Sequence, residues 1–161
     1  MKQIKNLQAE MQYDITPNQM KMFLSLAADY NNAVIAEGNL DVNSYVTNGV
    51  ETTAFEEAQD PVGNYQVNKH SGIDVVGGDL KSPFFLQADG GIDEGSNGKT
   101  FSIIGTDLHM KVLHGDAGSV KQRGDFFNPG DTIMPFPKKN NFNTASTGPH
   151  FHIEIHNGKN F

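Results

Sequence analysis

The chain has no cysteine and no tryptophan in its 161 residues. The first absence excludes disulfides, thiolate metal sites and a cysteine nucleophile, and it leaves the redox compartment open. Cationic residues are few: 12 Lys and Arg stand against 19 Asp and Glu, for a net charge of -7. Nor are they clustered, which argues against a nucleic-acid partner, because phosphate binding needs a basic surface. Long apolar runs are missing too. None exceeds Ala33-Val34-Ile35-Ala36, far short of a membrane span. The first eight residues, Met1 to Gln8, start basic but lack an apolar core, so they are not expected to be a signal peptide. A soluble chain is expected, and a target outside the cytoplasm would imply another export route or a longer parent chain.

What the chain does have is glycine, 17 residues of it, spaced between short runs of β-formers. The length suits one domain with a small appendage and suffices for a core without staples. Thr16-Pro17 is a helix start, with Thr as N-cap and Pro at the first helical position. Met20, Phe23, Leu24, Ala27, Tyr30 and Val34 follow at helical spacing, and Gly38 is the expected C-cap. A helix over 17–37 is therefore predicted, with one face against a sheet. Residues 1–15 read as a short helix or arm. Leu40, Val42 and Tyr45-Val46 hint at a strand. Further strands are expected at Ile73–Val76, Pro83–Leu86, Lys99–Ile104, Leu108–Leu113, Thr132–Met134 and in the run that follows Pro149. Asn128-Pro129-Gly130-Asp131 is a turn. The fold class is mainly β, an antiparallel sheet or sandwich with an N-terminal helix.

Two constellations carry chemistry. In Gly148-Pro149-His150-Phe151-His152-Ile153-Glu154-Ile155, strand alternation puts His150 and His152 on one face. Phe151, Ile153 and Ile155 then point into a core. His70-Ser71-Gly72-Ile73-Asp74 offers an imidazole and a carboxylate that converge if Gly72 turns His70 back. His70, Asp74 and one of the C-terminal pair would make the three-ligand set of a catalytic zinc site. Two His and a carboxylate also suit non-haem iron. His109 and His114 lie on or next to one strand, five residues apart, so alternation sets them on opposite faces and only one can face a site. Glu154 shares the face of the histidine pair and reads mainly as a solvated carboxylate, with orientation of a ligand imidazole as the other role. His156 reads as solvent-facing. Asp107, Asp116, Asp125 and Asp131 read as turn residues, and Tyr65 as either a cleft or a strand-packing residue.

The order and flanks of these motifs carry a resemblance. His70-Ser71-Gly72-Ile73-Asp74, Ser82-Pro83-Phe84-Phe85-Leu86-Gln87-Ala88-Asp89-Gly90, a strand ending in His, Asn128-Pro129-Gly130-Asp131 and Ser146-Thr147-Gly148-Pro149-His150-Phe151-His152-Ile153-Glu154 together resemble the lysostaphin-type (LytM-like) zinc endopeptidases. The match spans about residues 65–156. It implies a Zn2+ cofactor held by His70, Asp74 and His152, and two catalytic imidazoles, His150 and an earlier strand-end His. Leu113-His114-Gly115-Asp116 fits that second position better than His109.

The resemblance implies hydrolysis of stem or cross-bridge peptides in bacterial peptidoglycan, a bacteriolytic activity exerted outside the cytoplasm: secreted, in the periplasm, in the cell wall or on a phage particle. If the chain is a toxin, a neutralising partner is expected. The implied division is an N-terminal helical extension over 1–60, packing on the core, and a peptidase domain over 61–161. Two stretches depart from the family pattern or look specialised, Pro135 to Thr147 and Gly90 to Gly98, and both are expected to wall the substrate groove. Two alternatives stand beside this reading. One is a catalytically silent module of the same fold that binds cell wall or a partner protein. The other is a metalloenzyme acting on other peptides.

Overall fold

The structure, a computed structural model, describes residues 16–53, 72–90, 99–115, 123–137 and 149–157. Helix α1 spans Pro17–Glu37. Thr16 and Gln19 form a reciprocal capping box at its start, and Gly38 closes its end with φ 67°. Phe23, Ala27 and Asn31 form its fully buried stripe. Phe23 packs edge-on against Phe85 and Phe126, at 6.0 and 5.1 Å between ring centroids. Leu24, expected in the stripe, is instead partly exposed. The stripe bends toward Asn31, whose Nδ2 donates to the Phe85 and Ile104 carbonyls while its Oδ1 accepts from Phe85 N–H. The helix thus docks on the ends of strands rather than across a sheet face.

A second helix, α2 (Val42–Tyr45), stands where Leu40 to Val46 hinted at a strand. Asp41 and Ser44 cap each other at its start, a local bonding pattern that overrides the β-propensity of Val42 and Tyr45.

Among the described residues nine strands follow: β1 (Val50–Thr53), β2 (Ile73–Val76), β3 (Leu80–Lys81), β4 (Leu86–Gly90), β5 (Lys99–Ile103), β6 (Leu108–Leu113), β7 (Phe126–Phe127), β8 (Thr132–Met134) and β9 (Phe151–Asn157). Seven form one antiparallel sheet in the order β1-β2-β9-β6-β5-β4-β7, and β3 pairs with β8. The strand expected at Pro83–Leu86 begins only at Leu86. Pro83 lacks an N–H, and the Ser82 hydroxyl bonds the Phe84 backbone, so the chain turns there before it enters the sheet. The Asn128–Asp131 turn is closed by Asn128 N–H on Asp131 Oδ2 at 2.7 Å and by Asp131 N–H on the Asn128 carbonyl.

The registers sort the side chains into two faces. One carries the core: Leu86, Ala88, Phe101, Ile103, Met110, Val112, Val75, Phe151, Ile153 and Phe127, all buried. The β3–β8 pair covers it with Leu80, Ile133 and Met134. Ile155, expected in the core, is 42% exposed, because it borders an open cavity beside Leu40, Val42 and Tyr45. The other face is polar. Across β2, β9 and β6, Asp74 stands opposite His152 and His152 opposite Leu113. Further along, Lys111 stands opposite Glu154 and His109 opposite His156. The 60/61 boundary, residues 1–15, Tyr65, His70, Asp116 and most of the two expected groove walls lie outside the described residues. No described helix is long and apolar enough to cross a membrane.

Candidate active site

The site forms where three adjacent strands meet. β2 contributes Asp74, β9 contributes His152, and the chain just before β9 contributes His150. Residues that are 78 apart in sequence come into contact because β2 pairs directly with β9. Gly72 allows this approach. A Cβ there would collide with the Ile153 carbonyl oxygen and with Glu154 Cγ, so the segment leading into β2 can lie on β9 only without a side chain.

Asp74 Oδ1 lies 2.9 Å from His152 Nδ1 and 3.5 Å from His150 Nε2. The His114 ring sits 4.8 Å from that of His150 and 6.0 Å from that of His152, measured between centroids. His114 and His152 are nearly buried, and Asp74 and His150 are partly exposed, so the cluster has one wet side. Burial lowers the pKa of His152, but its contacts with Asp74 and Glu154 and the charges of both outweigh this and raise it to about 9.

His114 reaches the cluster by a route that alternation does not describe. Leu113 faces the polar side, so a continued strand would turn His114 into the core. Instead the strand ends and His114 adopts φ 66°, in the left-handed region. The expectation that His109 and His114 are divided by face is therefore corrected. His109 does share the polar face with His152, but it stands opposite His156, four residues farther along β9, which is roughly 13 Å away. There His109 is 6% exposed. Its Nδ1 lies 3.0 Å from Asp89 Oδ2, and Ser102 Oγ donates to Asp89 Oδ1 at 2.6 Å. This pairing holds His109 away from the cluster.

Glu154 also departs from expectation. It is buried at 7% exposure, with Oε1 3.6 Å from His152 Nε2 and Oε2 3.5 Å from His156 Nε2. His156 is half-buried rather than turned to solvent. The period of β9 places Glu154 beside His152, but only its neighbours across the sheet, β6 on one side and the Gly72 segment on the other, bury it.

Imidazole nitrogen and carboxylate oxygen are the donors zinc accepts in a thiol-free chain. His152 Nδ1 and Asp74 Oδ1 are close enough to share one cation, since donors on a tetrahedral zinc stand roughly 3.3 Å apart. Among the described residues no group of three or more such side chains is arranged to hold an ion. The third ligand of the implied set, His70, lies outside them.

Comparison with known proteins yields structural matches. No protein-family model matches the sequence, and a search of curated proteins finds no match. A zinc-containing peptidase from Vibrio cholerae superposes with TM-score 0.53 at 17% identity, over 72% of this chain and 36% of that one. LytU superposes with TM-score 0.50 at 27% identity, over 69% of this chain and 75% of that one. Lysostaphin from Staphylococcus simulans, an antimicrobial peptidase, does so with TM-score 0.50 at 17% identity, over 73% and 46%. The chain thus spans about a third of the Vibrio cholerae peptidase and under half of lysostaphin. Its mainly antiparallel sheet with an N-terminal helix is the fold of the lysostaphin-type (LytM-like) peptidases.

Proposed function

We propose that this chain is a zinc-dependent endopeptidase that hydrolyses stem or cross-bridge peptides of bacterial peptidoglycan, acting outside the cytoplasm. The observation that carries the reading is the meeting of Asp74 Oδ1 and His152 Nδ1 at 2.9 Å, with two further imidazoles, His150 and His114, beside them. A carboxylate and three imidazoles on the wet side of a sheet divide naturally into ligands and proton carriers. The likeness of fold to lysostaphin, an antimicrobial peptidase, and to a zinc-containing peptidase supports the reading as a zinc peptidase.

In this reading His70, Asp74 and His152 hold zinc, which when bound brings a water toward neutral pKa and polarises the scissile carbonyl. His114 and His150 move protons. One, as the neutral imidazole, accepts the proton of the attacking water. The other donates an N–H to the developing oxyanion or to the leaving amine. Asp74 also steadies His150 through the 3.5 Å contact with Nε2. The partly exposed side chains of Asp74 and His150 leave the proton-carrying side open to a peptide.

The test is mass analysis of fragments released from purified peptidoglycan, with and without a chelator. Chelator-sensitive release of peptide fragments supports the reading. A chain that binds about one zinc yet releases no fragments would overturn it in favour of a silent wall-binding module.

A further inference from the structure

We infer that Glu154 is the positioning residue that presents His152 to the metal, an inference that rests on the proposed role of His152 as a zinc ligand. Glu154 follows His152 by two positions on β9, so the two side chains share the polar face. The imidazole is held from both ends. Nδ1 lies 2.9 Å from Asp74 Oδ1, and Nε2 lies 3.6 Å from Glu154 Oε1. An imidazole that gives Nδ1 to a cation shared with Asp74 must carry its remaining proton on Nε2. Glu154 Oε1, 3.6 Å away, is the carboxylate oxygen beside that nitrogen. A carboxylate in this place keeps the Nδ1 lone pair free for the metal and stops the ring from turning about its χ2 bond.

The surroundings show how a carboxylate is kept there despite burial. Glu154 Oε2 lies 3.5 Å from His156 Nε2 and 3.9 Å from Lys111 Nζ. Lys111 is fixed opposite Glu154 by the β6–β9 register. The segment that leads into β2 runs close beside Glu154: a Cβ added at Gly72 would lie 2.7 Å from Glu154 Cγ. The carboxylate is therefore flanked by cationic or imidazole groups of β6 and β9, two of the strands that build the site. Its function is orientation, and it need not touch the substrate.

The experiment compares wild type, Glu154→Ala and Glu154→Gln as full chains. Zinc affinity is measured by competition with a chromogenic chelator, and unfolding is recorded in excess chelator as a control on the metal-free fold. Glu154→Ala is expected to weaken zinc binding by about 10- to 100-fold. Glu154→Gln keeps an acceptor oxygen for the Nε2 proton and should bind zinc nearly as wild type does. The zinc-loaded wild type and Gln variant should both show the His152 proton on Nε2 by nitrogen-15 NMR. If Glu154→Ala fails to fold, Glu154→Asp, whose carboxylate is one methylene shorter, should show weakened zinc binding with a near-native unfolding midpoint. Equal zinc affinity in wild type and the Ala or Asp variant overturns the inference. So does a Gln variant as weak as Ala, because that outcome makes Glu154 a charge partner of Lys111 and His156 only. A wild-type chain that takes no zinc overturns the proposed metal site itself, which is a separate result.

Discussion

His114 holds a backbone conformation that costs a residue with a Cβ about 1–2 kcal/mol, at φ 66° and 6% exposure. Such strain persists where it aims a side chain, here at the His150 and His152 rings. His114→Ala and His114→Gly should both keep zinc and lose hydrolysis, whereas Asp74→Ala should lose both. The Gly variant should be more stable than the Ala variant by about 1 kcal/mol, because glycine adopts positive φ freely. Denaturant titration with a zinc assay checks all three. Full activity in His114→Ala would remove it from the proposed mechanism.

His152 carries a second prediction at this scale. Its pKa is raised from 6.5 to about 9 in the folded protein. A raised pKa means that the folded state holds the proton more tightly than the unfolded chain. The stabilisation is fully present below about pH 6.5 and is lost as pH rises through about 9. The metal-free protein should lose on the order of 3 kcal/mol over that window. The loss is readable in urea titrations at pH 6 and pH 9.5 and should be smaller in Asp74→Asn. Zinc competes with that proton, so zinc affinity should rise across the same window.

Among the elements, α1 and the β2–β9 pair each depend on one residue that hydrophobic patterning overlooks. Asn31 sits fully buried among apolar neighbours because it satisfies Phe85 N–H and the Phe85 and Ile104 carbonyls, which lie where β4 begins and β5 has ended. Asn31→Leu should cost about 2–4 kcal/mol by removing the side-chain partner of the buried Phe85 N–H and Ile104 carbonyl, seen as a lowered denaturation midpoint; the Phe85 carbonyl keeps its bond from Ile104 N–H. A period-3.6 stripe finds Phe23 and Ala27 but has no means of finding a polar member. Gly72→Ala should loosen β2 from β9 and weaken zinc binding together, since the same approach aligns Asp74 with His152. A variant with native stability and native zinc affinity would show that β9 yields easily to an added Cβ.

At the scale of the whole molecule, the sheet places residues from distant parts of the chain around one wet spot while its other face carries the core. Because a metal bound only by the folded chain stabilises it, zinc at a hundredfold excess over its dissociation constant should add about 2.7 kcal/mol. The chain should therefore melt at a lower temperature in chelator than in zinc, and the Asp74→Ala variant should show no such difference. A wild-type melting temperature that ignores zinc would argue against a metal shared between β2 and β9.

Much of this was written in local order. Thr16-Pro17 and Gly38 bound α1 because caps act through adjacent backbone groups, and the runs at 73–76, 108–113 and 132–134 read as strands because alternation and flanking turns are local. The motifs around Asp74, His150 and His152 were legible for the same reason. Strand partners are not local, and that is where reading along the chain ended. β3 and β7, two residues each, are too short to signal themselves, and β1, Val50-Glu51-Thr52-Thr53, has a single apolar residue to show; all three exist by pairing. His109 and His114 could not be told apart by period, since one is held by Asp89 from β4 and the other is turned by a single positive φ. Glu154 and Ile155 show both directions of the same limit. The carboxylate is buried because β6 and the Gly72 segment lie beside it, and the isoleucine is exposed because it borders an open cavity. Local backbone chemistry decided the elements and the residue types of the site. Only the lateral order of strands decided which of them touch.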